Sequence, residues 1–320
     1  MILLSVIIEY FSASEINTYY GQLHPIIISY LQSDSASLKR LAVITVNNLT
    51  QTGSAVRVLK KYPDLIPLVL KAIDISQEDL IQKIFETMTD FLSEKRVLQP
   101  HLPLLIEAAT NIALNTDLAF NVREVAIYFL EQIGDTFSKY LVKKHPNVLR
   151  EVVNSGFKLC CEDDSEFPDE EESPHSLSLY MLHNFAIEVA IQIIYPLFKE
   201  NILAFCSHQS DPLVRKAGLK ILGHCCDSDG LLDSIKDDID QFTDILVAAM
   251  QDQNEKVREA AACVVGQFSE HVVPDFLDRH EKIVPVLFKV LQDHLQISTL
   301  SANHADQTEK AIYAVKEFIE

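Results

Sequence analysis

The chain of 320 residues carries 46 acidic against 27 basic side chains, a formal charge of -19, so most of its surface repels a nucleic acid backbone and favours basic partners. Its six cysteines, Cys160, Cys161, Cys206, Cys225, Cys226 and Cys263, include no pair at CxxC spacing, which argues against a structural zinc site and fits small reduced thiols of a cytosolic or nuclear compartment. Only 8 glycines serve the whole length and no strand-length window alternates apolar with polar residues, so the chain reads as all-α.

From the N-terminus, Met1 to Ile8 is almost wholly apolar. The run is too short to span a bilayer and has neither a charged leader nor a small-residue cleavage site, so it reads as the closing helix of a repeat. Prolines then recur at Pro25, Pro67, Pro103, Pro146, Pro196 and Pro285, each leading into an apolar run, at separations of 42, 36, 43, 50 and 89 residues. The last interval covers two units, because the helix predicted around Phe242 to Met250 keeps the pattern without the proline. Within a unit the apolar spacing gives two helices. Val56, Leu59, Tyr62, Leu65, Ile66, Val69, Leu70 and Ile73 wind one stripe, and Ile81, Ile84, Phe85, Met88, Phe91 and Leu92 wind its partner.

A second mark follows several prolines. An acidic residue opens a turn and a valine-arginine pair enters the next helix: Asp117 with Val122 and Arg123, Asp211 with Val214 and Arg215, Asp252 with Val257 and Arg258. Aspartate suits that place because its carboxylate accepts from the free amides of a first turn. The recurrence of the three arginines at one place in the unit points to a structural ladder between turns. A pair of amphipathic helices cannot cover its own apolar face, so units near forty residues must stack. The prediction is one solenoid segment over 1–320, a right-handed superhelix of about seven helix pairs plus a leading half repeat.

Between Pro146 and Pro196 the unit reaches 50 residues, and the excess coincides with an acidic run from Glu162 to Ser173. Glu162, Asp163, Asp164, Glu166, Asp169, Glu170, Glu171 and Glu172 lie in it, and Pro174 follows where a lost amide costs a new helix nothing. The run is a predicted loop, 162–173, between two helices of one repeat. It reads either as a solvated insertion or as a surface that steers and captures basic segments, and these eight residues are the candidate contacts. No Gly-rich phosphate loop or nucleophile motif accompanies it, and the grouping of His224 with Cys225 and Cys226 is a poor metal ligand set because neighbours on a helix diverge by about 100°. No catalytic, cofactor or metal site is expected, and the chain does not read as an enzyme. His271 and His280 read as surface residues. At the C-terminus Ile312, Val315, Phe318 and Ile319 form a stripe without a polar cap. Solenoid ends normally carry a polar outer face, so two uncapped ends suggest the interior of a longer superhelix.

With these features in place, the chain resembles the importin beta (karyopherin beta) family of HEAT-repeat nuclear transport receptors, nearest to its importin-four branch. The markers are Leu38-Lys-Arg-Leu-Ala42, the acidic loop leading to Ser173-Pro-His175, Asp211-Pro-Leu-Val-Arg-Lys-Ala-Gly218, Val257-Arg-Glu-Ala-Ala261, Val265-Gly-Gln-Phe-Ser-Glu270 and Lys310-Ala-Ile-Tyr-Ala314. The resemblance implies a HEAT-repeat α-solenoid with first helices on the convex side and second helices on the concave side. It further implies basic cargoes such as ribosomal proteins and histones held by acidic inner residues, release by the GTP form of Ran, phenylalanine-glycine nucleoporins bound between outer helices, and shuttling between cytoplasm and nucleus. Neither direct nucleic acid binding nor a membrane role is implied. With no tryptophan in the chain, the tryptophan-asparagine groove of alpha-type adaptors is excluded, and Asn47 and Asn48 read as helix-face residues. The competing class is a HEAT scaffold of a multiprotein complex, such as a phosphatase scaffold subunit, for which regular repeats without an acidic loop are expected. A lipid carrier is disfavoured because stacked helix pairs enclose no single apolar chamber.

Overall fold

The computed structural model describes residues 13–49, 62–73, 76–163, 173–226 and 229–295, together with 312, 313 and 316; the apolar run Met1 to Ile8 lies outside them. Every regular element among the described residues is helical. The chain forms two compact units, Met1–Val152 and Val153–Glu320.

In the first unit, α1 (Ala13–Leu31), α3 (Leu65–Leu70) and α5 (Leu102–Ala113) are the first helices of successive pairs. Their partners are α2 (Ala36–Leu49), α4 (Glu78–Asp90) and α6 (Phe120–Lys144). First helices pack on first helices, α1 on α3 and α3 on α5, and second helices on second, α2 on α4 and α4 on α6. This double row follows from the sequence stripes. Leu80, Ile81, Ile84, Phe85 and Met88 are all buried on α4, and Phe85 meets Phe129 of α6 with ring centroids 5.6 Å apart. Phe91 and Leu92 complete the predicted stripe from a 3-10 turn beyond the end of α4. Of the other stripe, Leu65, Ile66, Val69 and Leu70 are buried on α3, while Val56 and Leu59 lie outside the described residues.

The second unit repeats the scheme, entered by α7 (Pro146–Leu159), which runs across the division. α8 (Pro174–Glu188), α9 (Ile191–Cys206) and α10 (Pro212–Cys226) follow. The next first helix is broken into α11 (Asp229–Asp237) and α12 (Ile239–Ala249), and is followed by α13 (Glu255–His271) and α14 (His280–Leu295). α8 packs on α10 and α10 on α13, while α9 packs on α11 and α12 on α14. Phe157 of α7 lies edge-on to both Phe198 and Phe205 of α9, at 5.6 and 5.3 Å.

The repeating prolines occupy different positions. Pro146 opens α7, whereas Pro25, Pro196 and Pro285 stand inside α1, α9 and α14, where the ring deletes one backbone donor. The cap expectation needs correction at two of three sites. Asp211 behaves as expected, its carboxylate accepting from the Leu213 amide at 2.9 Å. Asn254, not Asp252, is the N-cap of α13, accepting from the Val257 amide at 3.4 Å, while Asp252 accepts from the Asn254 amide at 2.8 Å. At α6 the N-cap is Ala119, which has no side chain to accept, and its amide donates to Glu78 of the preceding second helix at 3.1 Å.

Candidate protein-interaction surface

The polar side chains between helices are spaced by one repeat. In the first unit Thr87 donates its hydroxyl hydrogen to Asn47 at 3.0 Å, a buried bond between residues 40 apart in sequence. Gln82 donates to the Asn121 carbonyl across a separation of 39. Arg40 pairs with Asp79 in the same step. Asn47 is therefore a buried link between α2 and α4; Asn48, 8% exposed, is buried as well. In the second unit Arg215 forms a two-pronged ion pair with Asp252, Nε to Oδ2 at 2.8 Å and Nη2 to Oδ1 at 2.9 Å. Asp238, at the break between α11 and α12, accepts from Tyr195 at 2.7 Å and pairs with Lys199 at 2.6 Å, both from α9. Arg279 with Asp240 and Lys282 with Asp244 continue the series at 3.0 and 2.7 Å.

The three recurrent arginines work at these junctions. Arg123, 5% exposed, donates to the Ala113 carbonyl at the end of α5, and Arg258 donates to the carbonyls of Asp252 and Gln253. Arg215 adds a bond to the His208 carbonyl. Partial burial pushes the Asp252 carboxyl upward, but the Arg215 guanidinium and the Asn254 amide outweigh it and hold the group below the usual carboxylate range. Asp238 is held low in the same sense by Lys199 and Tyr195 against partial burial.

The described residues on either side of the acidic run are bonded to one another. Cys160 and His175 form its neck: the His175 ring Nδ1–H donates to the Cys160 carbonyl at 2.9 Å, and the Cys160 thiol donates to the His175 carbonyl at 3.8 Å. Both are buried. Ser173 then caps α8. Its hydroxyl accepts from the Ser176 amide at 3.1 Å while its own amide donates to Ser176 Oγ at 3.1 Å, and Pro174 occupies the first helical position. Burial, with Asp211 and Glu162 nearby, pushes the Cys161 thiol up to about 12. Of the eight candidate contacts, Glu162 is half-buried and Asp163 exposed at the root of the loop; Asp164, Glu166, Asp169, Glu170, Glu171 and Glu172 lie outside the described residues. Asp163 stands 3.7 Å from Lys256 of α13.

The second-helix rows carry further exposed groups outside the acidic run. α4 exposes Glu86 and Asp90, and α6 exposes Tyr128 and Asp135, with Glu124 and Glu131 half-buried on the same face. In the second unit α8 exposes Tyr180 and Ile187, the latter at 59%. Helical spacing of 124, 128, 131 and 135 was the available signal, since it marks a polar stripe opposite the buried one. Among the described residues no group of three or more histidine, cysteine or acidic side chains is arranged to hold a metal ion, and no helix is long and apolar enough to cross a membrane. His271 is half-buried and His280 exposed, and Ile312 is 55% exposed.

No protein-family model matches the chain. It is 25% identical over 286 residues to Importin-4 of Mus musculus, an alignment covering 83% of this chain and 24% of that protein. It is 20% identical over 233 residues to the probable importin subunit beta-4 of Schizosaccharomyces pombe, covering 72% of this chain and 21% of that protein. Over most of its length the chain is thus similar to importins. It spans about a quarter of the length of the curated relatives it matches. In fold the chain is similar to Kap121p, with a TM-score of 0.72 at 18% identity over 92% of this chain and 29% of that one. It is likewise similar to Kap121p bound to RanGTP, with a TM-score of 0.74 at 18% identity over 92% of this chain and 30% of that one. These likenesses establish the all-α HEAT-repeat solenoid expected from the forty-residue period.

Proposed function

We propose that this chain is a cargo-handling part of a nuclear transport receptor and has no catalytic activity of its own. The observation that carries the reading is its similarity to importins over most of its length, 83% of the chain against the mouse protein. Acidic side chains at the root of the 162–173 loop support a basic partner, and so does the overall charge of -19. In this reading Glu162, Asp163, Asp164, Glu166, Asp169, Glu170, Glu171 and Glu172 receive lysine- and arginine-rich segments such as ribosomal protein extensions or histone tails. Phenylalanine-glycine repeats of pore proteins dock between first helices, and the GTP form of Ran releases cargo from the full-length receptor, which shuttles between cytoplasm and nucleus.

The test is a pull-down with the full-length protein against GTP-loaded Ran and against phenylalanine-glycine repeats. Capture of both is expected, with Ran displacing a bound histone tail. A protein that binds neither is a scaffold, and the transport reading falls.

A further inference from the structure

Asp238 stands at the N-cap of α12, a position that suits an aspartate carboxylate, yet its side chain caps nothing. Both oxygens turn back to the preceding first helix instead: Oδ2 accepts from Tyr195 at 2.7 Å and Oδ1 pairs with Lys199 at 2.6 Å. The packing divides at the same residue. α11 lies against α8, α9 and α10, whereas α12 lies against α13 and α14. One first helix is therefore shared between the repeat before it and the repeat after it, and Asp238 is the joint. The second helices run on across this divide, because α10 packs on α13 and the Arg215–Asp252 pair, 17% and 14% exposed, ties the two together. The Lys199–Asp238 pair is the more accessible, at 29% and 25%.

We propose that Asp238 is a two-position latch. In one position it holds the start of α12 to α9; in the other it caps α12, and α12 swings away from α9 about the α10–α13 contact. One carboxylate cannot serve both uses at once. Each use satisfies it, the first through a phenol and an ammonium, the second through the amides of the first turn and the positive end of the helix dipole, so neither position strands a desolvated charge. The latch makes the spacing of the first helices adjustable at this one repeat while the second helices stay joined.

The experiment places spin labels, carried by bio-orthogonal residues, at the exposed positions Ala204 of α9 and Ala248 of α12 of the 320-residue chain and measures their separation. Tyr195→Phe combined with Lys199→Gln is expected to add a population at longer distance. Amide exchange at Asp240 should at the same time become about fivefold slower, as the released carboxylate caps the helix. Lys282→Gln, which removes the lysine paired with Asp244 of the same helix and changes the net charge equally, should leave both readings as they were. An unchanged distance distribution in the double variant, or faster exchange at Asp240, would overturn the proposal. The labelled chain without those two substitutions supplies a second reading that does not depend on the double variant folding. Raising salt from about 0.1 M to about 1 M screens the Lys199–Asp238 pair and should bring up the same longer population, and a distribution that salt leaves unaltered would overturn the latch equally.

Discussion

Arg215 and Asp252 show how much one residue pair holds. Their side chains are 17% and 14% exposed, so removing the guanidinium leaves a largely buried carboxylate short of its partner. Arg215→Ala is expected to destabilise the second unit by about 1–3 kcal/mol in urea unfolding. The same pair predicts a pH dependence. Because the folded Asp252 and Asp238 carboxyls lie below their unfolded values, the unfolded chain binds more protons in the acid range and stability rises with pH there. Their contribution is complete above the ordinary carboxylate pKa of about 4 and is lost as pH falls through the folded values, so thermal unfolding of Asp252→Asn should depend less steeply on pH below about 4. The arginine ladder was legible because it repeats. His175 was not: its bond to Cys160 joins residues 15 apart across a loop, and no periodic pattern announces such a contact. His175→Ala should open the neck and speed amide exchange at Cys160 and Cys161, while the same exchange at α13 stays unchanged.

At the scale of helices, close approach is set by glycines. A Cβ on Gly218 of α10 would meet the Cys206 backbone nitrogen at 2.9 Å and Phe205 Cβ at 2.8 Å, so α9 and α10 cross with no room for a methyl. Gly218→Ala is expected to cost about 1–3 kcal/mol, read as a lowered urea midpoint. Gly223→Ala should cost less, because the atom in its way is the end of the Gln267 side chain, which can rotate aside. The helices themselves could be read from the sequence because a 3.6-residue stripe survives any arrangement of neighbours. The break at Asp238 could not, since it depends on Tyr195 and Lys199 reaching in from α9, 43 and 39 residues earlier. The Asp252 cap was misplaced for a similar reason. Its carboxylate is taken by Arg215 from the previous repeat, and Asn254 caps the helix in its stead.

Across the whole molecule, the forty-residue period in the sequence reappears as the spacing of the polar bonds between helices, 40 for Thr87 to Asn47 and 37 for Arg215 to Asp252. A repeat thus stores its neighbour's partners one period away, and apolar faces and polar links are kept in the same register. The one long interval, Pro146 to Pro196, contains the acidic run, and Cys160 and His175 on either side of that run are bonded to each other. The role proposed for these acids is the binding of basic protein segments. It is tested most directly by the affinity of the 320-residue chain for a histone tail across a salt series, beside a form with Glu162, Asp163, Asp164, Glu166, Asp169, Glu170, Glu171 and Glu172 replaced by serine and glutamine. Binding that weakens steeply with salt is expected in the first, and at least tenfold weaker, nearly salt-independent binding in the second. Equal affinity of the two forms at low salt would contradict it.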